Sequence, residues 1–545
     1  AFGGSLNFNK DIVVDTTAPT VLSVSTTTAD GAYKVGSPSI PIIVTFSEAV
    51  SVSGTPRIQL AVGGTTYATY TSGSGTSAIV FTYTIGAGNS TTDLDYSTAS
   101  ALGLNGGTIR DAASNNATLT LPTPGATGSI SDVSTIVIDT GAPSVTSVTT
   151  TSADGYYTVG GVIDLVVNFN EVVLVTGTPQ LSLETGVTDG VASYTGGSGT
   201  TALTFRYTVG TGENSSDLEV TSSSALSTSG GTIRDVAGNN ATLTLTLPTF
   251  SATNAIVVDT TAPYVTSVSS STPNGSYRSG QSISIQVNFS DTVTVTGTPT
   301  LTLETGSSDA VVTYSSGSST SSLTFTYTIS AGHNSTDLDC VGASALSLNG
   351  GAIKDAAGND ATRTVAVGSG TANSLANNKA VIVDTVAPTV SNVTATNANG
   401  SYKAGLTIGV QVEFSEVVIV AGSSGAAVSL SLDTGSATTV NYTSGSNSST
   451  LLFNYVIAAG HASSDLAYSS TAALTSGGRT IQDAAGNDAV LTLPAPGTTS
   501  SLDLNKDIVV DATAPSVLSV STTTADGAYK IGDPNIPITV TFSEA

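Results

Sequence analysis

The stretch Ile40-Pro41-Ile42-Ile43-Val44-Thr45-Phe46-Ser47-Glu48 sets Ile40, Ile42, Val44 and Phe46 at every second position and ends on an acid. A β-strand turns successive side chains to opposite faces, so this alternation buries one face and leaves the other to solvent. Ile79, Phe81, Tyr83 and Ile85 continue the same pattern. Between such runs lie Asp30-Gly31, Ser72-Gly73-Ser74-Gly75 and Asn105-Gly106-Gly107, residue types that take up tight turns at low cost. No helical period competes with the period of two. The pattern predicts an all-β fold, with two antiparallel sheets packed face to face and about seven to nine strands around one core.

The whole pattern then recurs, with Ile283, Ile285, Val287, Phe289 and Leu323, Phe325, Tyr327, Ile329 repeating the two runs further along. An Asp followed three residues later by Ala-Pro stands at Asp15, Asp139, Asp259, Asp384 and Asp511, at spacings of 124, 120, 125 and 127 residues. Units of that length are β-sandwich domains rather than solenoid turns. The reading is four complete repeats, 16–139, 140–259, 260–384 and 385–511, preceded by the end of another repeat at 1–15 and followed by the start of a fifth at 512–545. Residues 11–49 and 507–545 align over 39 positions with six differences, so a block of 496 residues is itself duplicated. Block duplication lengthens a stalk, whereas an active site gains nothing from being copied end to end. With no Met in the chain and a start inside a repeat, the expectation is a segment of a much longer polypeptide.

The 545 residues carry 39 acids against 14 Lys and Arg, a formal charge of −25. Nucleic-acid binding needs a basic face that displaces counterions, so that class is excluded. Docking on an anionic membrane is disfavoured for the same reason. No apolar run is long enough to span a bilayer, so no membrane insertion is expected of this segment. The single cysteine, Cys340, has no partner for a disulfide within the chain and reads as a small buried hydrophobe.

Chemistry is scarce. The two histidines, His333 and His461, occupy one variable turn position where other repeats carry Asn89 and Glu213. A surface-turn reading suits them better than the base of a nucleophilic triad. Trp is absent and Phe and Tyr follow the core period, which leaves no aromatic platform for sugar hydrolysis. No phosphate loop or dinucleotide fingerprint occurs. The chain is therefore expected not to be an enzyme.

The motifs Val14-Asp15-Thr16-Thr17-Ala18-Pro19, Val44-Thr45-Phe46-Ser47-Glu48 and Asp355-Ala356-Ala357-Gly358-Asn359 resemble the bacterial Ig-like tandem repeats of giant cell-surface proteins and adhesins, in particular the swimming-motility-type repeat. The resemblance covers essentially the whole chain. It implies a tandem array of Ig-like antiparallel β-sandwiches on the outside of a bacterial cell, in some members straightened by calcium at the joints. It says little about what one member does, because the module serves many contexts.

Strand order gives the carboxylates a place. If the chain enters a sandwich at one pole, the second strand returns there, which puts Glu48 at its end beside Asp15 in the incoming linker and Asp111 in the loop before the last strand. The same reading gathers Asp139, Glu171 and Asp235; Asp259, Asp291 and Asp355; Asp384, Glu416 and Asp483; and, in the partial fifth repeat, Asp511 and Glu544. Clustered like charges are costly unless a cation neutralises them. An all-oxygen set matches a hard ion, Ca²⁺ rather than Zn²⁺. The Asp93-Leu94-Asp95 turn is placed at the opposite pole, near Asp139 and Glu171 of the next repeat. Alternatively, these acids cap turns or end strands. Asp291, a methylene shorter than its counterparts, is the least favourable member.

The function expected is structural: an extended, calcium-stiffened spacer of a long extracellular bacterial surface protein, adhesin or filament. Its partners are the neighbouring repeats of the same chain. The alternative is that the repeats themselves adhere or self-assemble, binding host or cell-surface glycans or identical chains laterally, where near-identical copies give avidity to weak sites.

Overall fold

The computed structural model describes residues 12–422 and 426–545. Most of the leading segment 1–15 thus lies outside the described residues. The fold is a tandem series of β-sandwich repeats, and the first shows how each is made. Its strands are β1 Val21–Thr26, β2 Gly31–Tyr33, β3 Ile40–Ser53, β4 Arg57–Leu60, β5 Thr66–Ser72, β6 Thr76–Tyr83, β7 Ser90–Thr91, β8 Leu102–Gly103, β9 Thr108–Arg110 and β10 Ile136–Asp139, with one helical turn, α1, at Ile130–Val133.

One sheet runs in the order β1-β3-β6-β5-β4-β8. It curls because its longest strand changes partner: Ile40–Thr45 of β3 pair with β6, and Ser51–Ser53 pair with β9. Between them the register against β6 shifts from Thr45 to Val50, and such bulges bend a strand and re-aim its side chains. A second, small sheet has the order β2-β10-β7, with β10 parallel to β2. The expected pair of purely antiparallel sheets is thus one curled sheet with a small sheet holding a parallel pair. Period two fixes the face a side chain takes but not the strand beside it, which is why the partner change within β3 and the parallel pair were invisible in the pattern.

The alternating residues are the core. Ile40, Ile42, Val44, Phe46, Ile79, Phe81 and Tyr83 are essentially fully buried, and Ile136 and Ile138 of the second sheet close the cluster together with Leu94 from the turn after β7. Tyr70 meets Phe81 edge to face at 6.1 Å, an arrangement kept by Tyr194–Phe205, Tyr314–Phe325 and Tyr442–Phe453. Each large apolar side chain taken out of water stabilises its repeat by about 1.5–3 kcal/mol. Each of the four repeats has its own cluster of this kind. Cys340 belongs to one of them, and burial, with Asp339 beside it, pushes its thiol up to about 12.

Two compact units divide the chain, Ala1–Thr261 with Ala357–Asn359, and Ala262–Ala356 with Asp360–Ala545. Inside a repeat, β3 sets two poles. Ile40 faces Tyr83 at one end, and Glu48 lies eight residues away, or roughly 26 Å along an extended strand. We call the Glu48 end the leading pole and the Ile40 end the trailing pole. β10 leaves at the trailing pole, where Asp139 pairs with Ser90.

Candidate metal centre

Glu48 does not end a strand. It stands in the bulge of β3 between Thr45 and Val50, both of which pair with β6, just before the strand passes to β9 at Ser51, and the local bend aims it at the leading pole. There the carboxylates of Asp15, Glu48 and Asp111 come within 4.8 Å of one another. Asp139, Glu171 and Asp235 do the same in the second repeat, and Asp384, Glu416 and Asp483 in the fourth. Sequence positions about a hundred residues apart are thus brought to one point three times over.

Each acid is set by a different local device. The linker aspartates form Asx turns, with Oδ1 accepting the amide two residues on: Thr17 on Asp15 at 2.9 Å, Gly141 on Asp139 at 2.9 Å and Val386 on Asp384 at 3.0 Å. The turn role and the clustering therefore coexist, because one oxygen serves the turn and the carboxylate has a second. The loop aspartates are buried and held by the asparagine four residues on. Asn115 donates its amide N–H to Asp111 Oδ1 at 2.8 Å and its side chain to Oδ2 at 2.7 Å, and the same side-chain nitrogen donates to the Asp15 carbonyl at 3.1 Å. Asn239 and Asn487 repeat this for Asp235 with Asp139 and for Asp483 with Asp384. The asparagines were legible as a recurring Asp-x-x-x-Asn, but nothing in the sequence tied them to the linker carbonyl.

The electrostatics follow from this wiring. Burial on its own raises the Asp111 carboxyl, yet hydrogen bonds from the Asn115 side chain, the Asn115 amide and the amides of Ala113 and Ser114 outweigh it and hold the group below its ordinary value. Burial, then the charges of Asp15 and Asp111, push Glu48 upward. Glu171 rises for the same reasons beside Asp139 and Asp235, and Glu416 beside Asp384 and Asp483. In each case the glutamate carries the repulsion of the set.

In the third repeat the acids are divided between the two units, Asp259 in the first and Asp291 and Asp355 in the second. Asp291 Oδ1 accepts its neighbour Thr292 N–H at 2.6 Å, and Asp259 Oδ1 accepts Thr261 N–H at 2.9 Å. Convergence within 4.8 Å is found for the other three sets. In the fifth, Asp511 Oδ1 accepts Thr513 N–H at 3.1 Å, while Glu544 Oε1 is buried and has no hydrogen-bond partner.

Two expectations need correction. The Asp93-Leu94-Asp95 turn spends its acids inside its own repeat: Asp93 Oδ1 accepts Ile136 N–H at 3.3 Å, and the buried Asp95 accepts Gly125 N–H at 3.0 Å and the Ser131 hydroxyl at 2.7 Å. Fastening the α1 segment uses the carboxylate that was expected at the joint. Nor are the histidines bare surface residues. The core tyrosines Tyr327 and Tyr455 share hydrogen bonds with His333 Nδ1 at 2.9 Å and His461 Nδ1 at 2.8 Å, and the rings stack. They take the place of Asn89, which accepts the Tyr83 hydroxyl at 2.9 Å. A buried hydroxyl needs a partner, and the turn position supplies it with any residue that can accept.

No protein-family model matches the chain, and no curated protein matches it. Among solved structures it is similar to two of the Plexin A4 full extracellular region. The one covering domains 1 to 8 has 7% identity and a TM-score of 0.19 over 84% of this chain. The one covering domains 1 to 10 has 9% identity and a TM-score of 0.16 over 96% of this chain. The chain spans 47% and 41% of the length of those two proteins. Among the described residues no helix is long and apolar enough to cross a membrane.

Proposed function

We propose that the protein is a calcium-stiffened spacer, a segment of a long extracellular bacterial surface protein whose working parts lie elsewhere. The observation that carries this reading is the convergence of three carboxylates within 4.8 Å at the leading pole of three repeats. The donor set fits the ion. It is all oxygen, it has no His or Cys, and its glutamate is destabilised as an anion by burial and then by the charges of its neighbours. Ca²⁺ takes six to eight oxygen ligands at flexible angles, so three carboxylates leave places for carbonyls and water. Asp15, Glu48 and Asp111 would hold one ion, Asp139, Glu171 and Asp235 a second, and Asp384, Glu416 and Asp483 a third. A bound ion joins the linker aspartate to the body of the repeat that follows, and so restricts the hinge at that linker.

Small-angle scattering and thermal melting of the full chain test the proposal, in millimolar calcium and in chelator. Extracellular sites of this type bind at about 10⁻⁴ to 10⁻³ M. A particle that shortens and melts earlier in chelator supports the calcium joint. Identical curves overturn it and leave the carboxylates as turn residues. The surface location is tested separately, by whether an antibody against this segment decorates intact, unpermeabilised cells.

A further inference from the structure

The loop that presents the buried aspartate has a neighbour outside its own repeat. In the first unit the ammonium of Lys34, in the first repeat, donates to the carbonyl of Gly238 in the second. In the second unit Arg278, in the third repeat, donates through Nη1 to the carbonyl of Gly486 in the fourth, at 2.8 Å. The two contacts span 204 and 208 residues of chain and join equivalent positions.

Local structure puts both arms in place. Lys34 and Arg278 follow the short strands Gly31–Tyr33 and Gly275–Tyr277, which pair in parallel with the last strand of their own repeat. Tyr33 and Tyr277 donate their hydroxyls back to Ala29 and Pro273 at 2.7 Å each. The next residue therefore emerges at the trailing pole, where the chain leaves for the next repeat. On the receiving side, Gly238 and Gly486 have φ of +89° and +92°, a left-handed conformation that favours glycine. A Cβ there would already touch the arm, at 3.6 Å from Lys34 Nζ and 3.7 Å from Arg278 Cδ. Each glycine lies in the loop of a cluster aspartate: Gly238 N–H donates to the Asp235 carbonyl at 3.2 Å, and Gly486 N–H to Asp483 Oδ1 at 2.7 Å.

We infer that Lys34 and Arg278 are positioning residues for the cation sites, each fastening the next repeat's aspartate loop to the repeat before it. The inference rests on the calcium reading and deepens it. An ion at Asp139, Glu171 and Asp235 needs the 235–239 loop in place, and the Lys34 arm holds that loop only while the two repeats are aligned. Ion binding and alignment therefore favour each other, and by linkage each strengthens the other equally.

Hydrogen-exchange mass spectrometry of the full chain across a calcium titration reads each loop separately. In Lys34→Gln, half-protection of the 235–239 loop is expected at about 5-fold higher calcium, the low end of ordinary coupling, with the 483–487 loop unmoved. Arg278→Gln gives the reciprocal result, and Lys34→Arg restores the wild-type midpoint. Unmoved midpoints in both glutamine variants overturn the inference. A wild-type chain whose loops ignore calcium overturns the calcium reading instead. In that case scattering in chelator still decides the arms: unchanged dimensions in the double variant Lys34→Gln/Arg278→Gln show that they do not join the repeats.

Discussion

Asn239 and Asp235 are bound to each other twice, the Asn239 amide N–H to Oδ1 at 2.8 Å and its side chain to Oδ2 at 2.7 Å. The same side-chain nitrogen reaches the Asp139 carbonyl at 2.9 Å, so one asparagine ties two acids of a cluster together without belonging to it. Replacing Asn239 by Ala leaves a buried carboxylate with fewer donors. Hydrogen bonds to charged groups contribute about 1.5–3 kcal/mol each. Chemical denaturation is expected to show a loss of that order in the second repeat, and calorimetry a weaker calcium affinity, although every carboxylate remains.

The glutamates carry the repulsion of the sets, so removing their charge is expected to help the calcium-free protein. In chelator, the triple variant Glu48→Gln/Glu171→Gln/Glu416→Gln melts at a higher temperature than the wild type. In millimolar calcium the order reverses, because only the wild type gains from the ion. A triple variant that still rises in calcium as the wild type does places the ion elsewhere.

Acidity gives an independent measure of the same charges. Glu48, Glu171 and Glu416 are raised above their ordinary value of 4.5. Their protonation therefore favours the folded state, and this stabilisation is complete below 4.5 and lost as pH rises through the raised folded values. Asp111 is lowered from 3.8, so its contribution is present above that value and lost as pH falls below it. In chelator, melting temperature is expected to rise as pH falls from neutral toward 4.5, and to drop below 3.8. Calcium abolishes the rise, since protons and the ion compete for the glutamate.

The fourth repeat offers a test of internal compensation. Where the first repeat has Asp95 bonded to Ser131, the fourth has Ala467 and Asp503. The acid has crossed to the other side of the same pocket. Tyr96 is raised by burial and Asp95, and Tyr468 is pushed up to about 12 by burial and Asp503. The exchange is imperfect, because Ser501 Oγ and Asp503 Oδ1 are buried without partners. Ala467→Asp alone is expected to destabilise, with two carboxylates sharing one pocket. Ala467→Asp/Asp503→Ser regains the loss, and a double-mutant cycle by denaturant unfolding should show a coupling of about 0.5–3 kcal/mol.

Much of this molecule was decided by residues that need no partner to be read. The alternation Ile40, Ile42, Val44, Phe46 names a strand and its buried face, because side-chain direction along a strand is a property of the backbone alone. The spacing of the linker aspartates gives the repeat, and their recurrence with Glu48 and Asp111 marks the acids as one set. Tertiary structure decided what depends on a neighbour far along the chain. The bulge that aims Glu48 exists because the register of β3 against β6 shifts between Thr45 and Val50, a matter of pairing with a distant strand. Asp95 is used up inside its repeat because α1 packs against it, and His333 is half-buried because a core tyrosine needs an acceptor. Lys34 meets Gly238 only because β2 runs parallel to β10 and delivers the arm to the trailing pole. Local pattern fixes which way a residue faces, whereas what it faces is fixed by pairing between distant segments, which one repeat's sequence does not encode by itself.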